Sequence, residues 1–240
     1  MPRGYWSCRV LGFTIRVDRS WLFIAALVTW TLSRHYFPSV IADVPTWVYW
    51  SMGASAAVLL FTCVLLHELG HALVARAYGI PVAGITLFIF GGVAQIAGQP
   101  KRPAVEFLMA LAGPLVSAVI AGSCALAVRA IPLVSPGNLV VAAIVHYLAM
   151  VNMALILFNL LPGFPLDGGR LLRAALWAGL GNFHRATRIA SRVGIWLGIA
   201  LIGFGVWGMI RGSIVGGVWY VFLGLFLRDA ALATYRTSDG

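Results

Sequence analysis

The sequence predicts an all-α polytopic membrane protein of about six transmembrane helices, with a short β-hairpin between two of them. Three observations carry this. Of the 240 residues 61% are hydrophobic and only 10% charged, at a mean hydropathy of +0.93, whereas a soluble domain carries about 25% charged residues. The few charges fence off six apolar stretches. The basic residues sort to one side of those stretches, as they do in a threaded membrane protein.

Taken in chain order, residues 1–19 form a polar lead carrying Arg3, Arg9, Arg16 and Arg19. Within it Phe13, Ile15 and Val17 alternate with Thr14, Arg16 and Asp18, which reads equally as a short strand or as an extended interfacial lead. The apolar stretches follow at 20–33, 44–74, 107–128, 139–161, 193–210 and 213–227, with the second helix reading on to 78 and the third back to 104. A span needs about 20 apolar residues, fewer where flanking arginines snorkel. The first stretch is short, but Trp21, Trp30, Tyr36 and Phe37 supply interfacial anchors. A signal peptide competes for this stretch; the lead is long and no small-x-small cleavage site follows, so it reads as a span.

Residues 82–96 are apolar, rich in β-branched and aromatic side chains and broken at Gly91-Gly92, the pattern of a strand, a glycine turn and a second strand. Gly194-x-x-x-Gly198 and Gly212-x-x-x-Gly216 read as close-packing sites between helices. No linker, repeat or low-complexity tract divides the chain, so 20–235 reads as one domain with a tail at 236–240.

With six spans and a cytoplasmic N-terminus, 14 of the 17 Lys and Arg residues fall inside, against 3 outside; dropping the first span reduces the split to 10 against 7. The bias supports the short span and places both termini in the cytoplasm. It also explains the formal net charge of +10 without a nucleic-acid partner, since no basic run is longer than Lys101-Arg102. The three cysteines, Cys8, Cys63 and Cys124, are odd in number and far apart, which excludes a disulfide framework.

Ionisable groups inside a span are expensive and ask for a function. The second span carries His67-Glu68-Leu69-Gly70-His71, an H-E-x-x-H motif that arises by chance in such a composition about once in a thousand. One helical turn separates the histidines, so both imidazoles can reach one tetrahedral metal while Glu68 projects beside it. The bland alternative, a self-satisfying polar cluster, is a costly way to fill an apolar helix face.

A catalytic zinc site takes a third protein ligand and keeps one open position. His35, Asp43, Glu106, His146, Asp167 and His184 are the candidates. The motif lies in the cytoplasmic half of its span, which sets aside His35 and Asp43 at the outer end and His146 early in the fourth span. Glu106 and His184 sit at helix or loop edges where solvated roles are cheap. Asp167 follows the fourth span in Asn159-Leu160-Leu161-Pro162-Gly163-Phe164-Pro165-Leu166-Asp167-Gly168-Gly169-Arg170, whose prolines and glycines let the chain turn back. Ligand and N-cap of a following helix are equal readings of Asp167. Asn159 reads as a helix–helix hydrogen-bonding residue or as a donor to a substrate oxyanion.

At these residues the chain resembles the site-2 protease family, the intramembrane zinc metalloproteases. The resemblance rests on the H-E-L-G-H sequence, on Ala112-Gly113-Pro114-Leu115, on Phe90-Gly91-Gly92-Val93 and on the stretch from Asn159 to Gly168. It implies one zinc ion on His67, His71 and Asp167, Glu68 as catalytic acid and base, and Asn159 in contact with substrate. It also makes 82–96 a membrane-dipping element, with Gly91, Gly92 and Val93 at the substrate. Many members have Asn three positions after the Gly-Pro pair, where this chain has Ser117. The six-span arrangement is most similar to the prokaryotic branch that often carries cytoplasmic CBS domains after the last span; with only 12 residues here beyond Arg228, a removed regulatory part and a short relative are equal readings.

The function expected from the residues and the resemblance together is regulated intramembrane proteolysis: hydrolysis of a peptide bond in or near the transmembrane segment of a membrane-protein substrate. It implies a multi-pass protein of a prokaryotic cell membrane whose partners are the lipid bilayer and its substrates, with a homo-oligomer or a regulatory subunit compatible. Two other readings are an inactive family member that binds membrane proteins without cutting them and a metal or ion transporter. A transporter usually spreads its polar groups along a path and repeats its broken helices, whereas here the groups crowd at one depth.

Overall fold

The computed structural model describes residues 5–88, 91–132 and 135–237; Arg3, the hairpin residues Ile89 and Phe90, and the tail beyond Thr237 lie outside the described residues. In chain order the elements are β1 (Tyr5–Val10), β2 (Phe13–Asp18), α1 (Ser20–Thr31), a π-helical turn (Leu32–Tyr36), α2 (Phe37–Val40) and α3 (Thr46–Ala77). There follow β3 (Val82–Phe88), β4 (Gly91–Ile96), α4 (Pro103–Ala130), α5 (Pro136–Asn159), α6 (Asp167–Leu180), α7 (Phe183–Ile210) and α8 (Ile214–Thr237). Among the described residues five helices, α3, α4, α5, α7 and α8, are long and apolar enough to cross a membrane. The stretch expected as the first span, 20–33, is helical throughout, and the helix runs on without a gap through the π turn and α2 to Val40. Its helix α1 is 12 residues long, and the chain widens into the π turn before Pro38, which cannot donate a helical hydrogen bond.

The chain forms two compact units, one of residues 1–99 and 112–156, the other of residues 100–111 and 157–240. In the first unit the alternating lead is a strand, and β1 ahead of it completes a four-stranded sheet in the order β1-β2-β3-β4. Leu11 and Gly12, both at positive φ, turn β1 into β2. Strand β2 then runs parallel to β3, pairing Ile15 with Ile85, and β3 pairs antiparallel with β4, Leu87 opposite Gly92. Strand β1 escaped the sequence reading because Trp6, Cys8 and Val10 are exposed, so no buried face patterns its sequence.

One face of the sheet packs on the C-terminal half of α3 through Phe13, Leu69, Ala72 and Ile85. Each fully buried large apolar side chain there contributes about 1.5–3 kcal/mol. Arg76, near the end of α3, closes the contact by lying 4.4 Å over the Phe13 ring and donating to Leu11 O at 2.7 Å. At the other end of α3, Leu32, Phe37, Met52, Ala56 and Ala143 form a second cluster.

In the second unit α7 and α8 pack closely through glycines. A Cβ on Gly198 would stand 2.7 Å from Gly224 O, and one on Gly205 would stand 2.6 Å from Gly217 O. The α8 half of this contact is thus Gly217 and Gly224. Gly212 and Gly216, expected there from their spacing, are not at it: Gly212 is a turn residue with φ +92. Helix α7 begins at Phe183 rather than near Val193, because the Asn182 side chain accepts from Arg185 N at 2.9 Å and caps it ahead of the arginines.

Candidate metal centre

The motif helix α3 brings His67 and His71 to one face, as their spacing requires. Both are buried, at 4% and 3% exposure, with ring centroids 5.0 Å apart. What aims them is a glycine on α4. A Cβ at Gly113 would lie 2.5 Å from His67 Nε2 and closer still to His71 Nε2. The two Nε2 atoms therefore converge on one spot that only the absence of a side chain keeps open. The approach of the helices is itself set by Gly70, where a Cβ would meet Ala112 O at 3.0 Å.

Ser117, one turn beyond Gly113, is fully buried with its Oγ 2.9 Å from His67 Nδ1. The tautomer that donates from Nδ1 to this hydroxyl leaves the Nε2 lone pair for a metal, the usual arrangement behind a histidine ligand. The residue at which the chain departs from the family pattern thus orients a proposed ligand. Ser117→Ala should weaken metal affinity about 10–100-fold, measured by competition with a chromogenic chelator; unchanged affinity would show that the hydroxyl does not set the ring.

Glu68 points toward the sheet. Its Oε2 accepts from Ala94 N at 3.0 Å, in the strand β4 that ends the sheet. Gly92 permits this approach, since a Cβ there would come within 2.7 Å of Glu68 Cγ. Of the hairpin residues singled out in the sequence, Gly92 lies against Glu68, Gly91 opens β4 at φ +122, and Val93 is 47% exposed. Two imidazole nitrogens aimed at one side-chain-free spot are the start of a donor set that fits zinc, and Glu68, next to His67 in the chain, has its carboxylate held by β4.

In the second unit Asp167 is the first residue of α6 and is buried at 9% exposure. The cap position falls on Leu166, which makes no side-chain capping bond, so the N-cap reading of Asp167 does not hold. Gly168 is needed directly after it, because a Cβ there would run into the carbonyls of Leu160 and Leu161. Asn159 ends α5 and is half-buried.

Glu106, expected at a solvated edge, is fully buried and accepts from Arg173 Nε at 2.7 Å and again from its Nη2. Arg173 is stacked between the rings of Phe164 and Phe183, at 4.7 and 4.6 Å. Burial draws its guanidinium below the ordinary arginine value, and the Glu106 carboxylate opposes that shift. Arg173 lies under two turns from Asp167, so the pair fixes the helix that carries it. Glu106→Ala strands a buried cation and should cost about 3–5 kcal/mol in a denaturant titration; a loss under 1 kcal/mol would show the pair to be solvent-relaxed. The remaining sequence candidates, His35, Asp43, His146 and His184, are exposed.

Helical spans, an H-E-x-x-H helix and an edge strand against its glutamate define the class: an integral membrane protein with the donor set of a zinc hydrolase. The chain matches peptidase family M50 over residues 55–136 and 131–201. It therefore belongs to that family, the site-2 protease family that its motifs resemble. It is 42% identical over 224 residues to Rip3 of Mycobacterium tuberculosis, covering 93% of this chain and 56% of the relative. With the zinc metalloprotease MJ0392 of Methanocaldococcus jannaschii it shares 36% over 162 residues, 68% of this chain and 45% of the relative. The chain thus spans about half the length of these relatives. A solved structure, the site-2 protease from Methanocaldococcus jannaschii, aligns with a TM-score of 0.64 at 26% identity, covering 96% of this chain and 95% of that one.

Proposed function

We propose that the protein is an intramembrane zinc metalloprotease that cuts membrane-protein substrates in or near their transmembrane segments, in the cytoplasmic half of the bilayer. The observation that carries this is the convergence of His67 Nε2 and His71 Nε2 beside Gly113, with Glu68 adjacent and held by β4. Asp167 is assigned as the third ligand, by its match to the family motif and its buried place at the start of α6. When bound, one zinc ion would supply Lewis acidity and bring the pKa of a water towards about 7.

The chain's own residues do the rest. Glu68 takes the proton of the attacking water and returns it to the leaving amine, its carboxylate steadied meanwhile by Ala94 N–H. Asn159 is assigned as a donor to the oxyanion. A helical substrate must first be unwound, because its carbonyls are locked in hydrogen bonds, and the freed backbone then needs partners inside the membrane. The edge of β4 away from β3 offers them as an added strand, beside Glu68, with Gly91, Gly92 and Val93 in contact.

The excess of basic residues on one side supports cytoplasmic termini, and with them a cut that releases a cytoplasmic fragment. A single-span substrate tagged at both ends and co-reconstituted with the protein should yield a fragment pair whose sizes place the cut in the cytoplasmic half. Fragments released only to the outer face would refute the assigned depth.

A further inference from the structure

Gly194, read from its spacing as half of a helix–helix contact, packs chiefly on the loop that carries Asp167. A Cβ on Gly194 would stand 2.9 Å from Phe164 N and nearer still to Phe164 O. From the loop side, a Cβ on Gly163 would stand 2.6 Å from Gly194 Cα and 2.8 Å from Gly194 N. Backbone therefore rests on backbone, and no side chain can turn aside to admit a methyl group. The surroundings are filled as well: Phe164 is buried in one cluster with Ala190 of α7 and Ala231 of α8.

The same Gly163–Phe164 peptide is tied to Asp167. Gly163 O accepts from Leu166 N at 3.1 Å, and Leu166 O accepts in turn from Gly169 N at 3.0 Å and Arg170 N at 3.3 Å. Hydrogen bonds thus run from the peptide into the first turn of α6. Gly169, two residues after Asp167, also comes against the peptide, since a Cβ there would stand 2.6 Å from Gly163 O. The Phe164 ring is held under Arg173 of α6. A shift of this peptide away from α7 must therefore carry Leu166 and Asp167 with it.

We infer that Gly194 is a positioning residue of the metal centre: by bearing no side chain it seats the Gly163–Phe164 peptide on α7 and so sets where the Asp167 carboxylate stands. The inference rests on the assignment of Asp167 as a metal ligand. Other glycines of α7 have different neighbours. A Cβ on Gly198 would meet Gly224 O of α8 at 2.7 Å, and one on Gly203 would meet nothing within 4 Å. Groups that orient a ligand from behind typically account for about 10–100-fold of metal affinity.

The test measures three properties of the full chain in detergent. They are zinc affinity by competition with a chromogenic chelator, the visible absorption of the cobalt-loaded protein, which reports coordination geometry, and the cooperativity of apoprotein unfolding in denaturant. Gly194→Ala should lower zinc affinity about 10–100-fold and move the cobalt spectrum in the direction that Asp167→Ala moves it. Gly163→Ala crowds the same contact from the loop side and should do likewise. Gly198→Ala, which strains α7 against α8 instead, and Gly203→Ala, which meets open space, should both keep the wild-type affinity and spectrum. Wild-type affinity or spectrum in Gly194→Ala, while Asp167→Ala loses zinc, would overturn the inference and leave the ligand assignment standing. Wild-type affinity in Asp167→Ala would overturn the assignment and the inference with it. An equal loss in Gly198→Ala, or a Gly194→Ala apoprotein that no longer unfolds cooperatively, would make Gly194 a residue of general packing and overturn the inference alone.

Discussion

Gly113→Ala is expected to abolish stoichiometric zinc binding without unfolding the protein. The added methyl carbon would stand 2.5 Å from His67 Nε2 and 2.6 Å from His71 Cε1, with His71 Nε2 nearer still. Carbon and nitrogen cannot remain so close, and each imidazole occupies a buried rotamer set by its own surroundings. Both rings must swing away from the spot on which they converge, so two ligands are lost at once. The helix itself gains, because alanine is preferred to glycine in a helix interior by about 1 kcal/mol. Zinc content by plasma emission spectrometry should therefore fall from one ion per chain to nearly none, while the resistance of the apoprotein to denaturant stays level or rises. Full zinc content in the alanine variant would show that the two Nε2 atoms do not bind the metal from this position.

Glu68→Gln should separate chemistry from metal binding. The amide keeps the size of the side chain but neither takes a proton from water nor returns one to an amine, so the rate should fall about 10²–10⁴-fold, the contribution typical of a placed general base. Zinc content should remain at one ion, because Glu68 is not among the proposed ligands. Its neighbour Ala94 N–H, which bonds Oε2 in the native chain, can bond the amide oxygen instead, so the hairpin stays in place. Cleavage of the doubly tagged substrate by this variant at the native rate would refute the assigned mechanism, and loss of zinc along with activity would make Glu68 a ligand.

The two variants together probe residues of unequal legibility. The motif helix could be read because its chemistry is local: residues four apart on one helix share a face whatever surrounds them. Long apolar helices were legible for a similar reason, since hydropathy over about 20 residues needs no partner. Gly113, by contrast, was visible only as part of a family motif; that its missing side chain leaves room for two imidazole nitrogens depends on how α3 and α4 approach. Ser117 looked like a departure from the pattern, and its contact with His67 lies 50 residues away in the chain. Glu106 and Arg173 are 67 residues apart, so only the folded chain shows that one carboxylate is held in a buried pair rather than in solvent. Strand β1 was lost because period-two reasoning needs a buried face, and the helix-packing glycines of α8 because spacing alone does not say which of several glycines meets a neighbour.

The parallel pairing of β2 with β3 changes what the hairpin is. Two strands alone are barely stable, but here the strand that grips Glu68 belongs to a four-stranded sheet of which half is drawn from the chain's first eighteen residues. In practical terms the amino terminus is not a neutral handle. Trimming it, or threading a bulky tag through β1, removes bracing from the far side of the sheet, and a preparation altered there would lose rigidity at the strand that holds Glu68 although every motif residue remained intact.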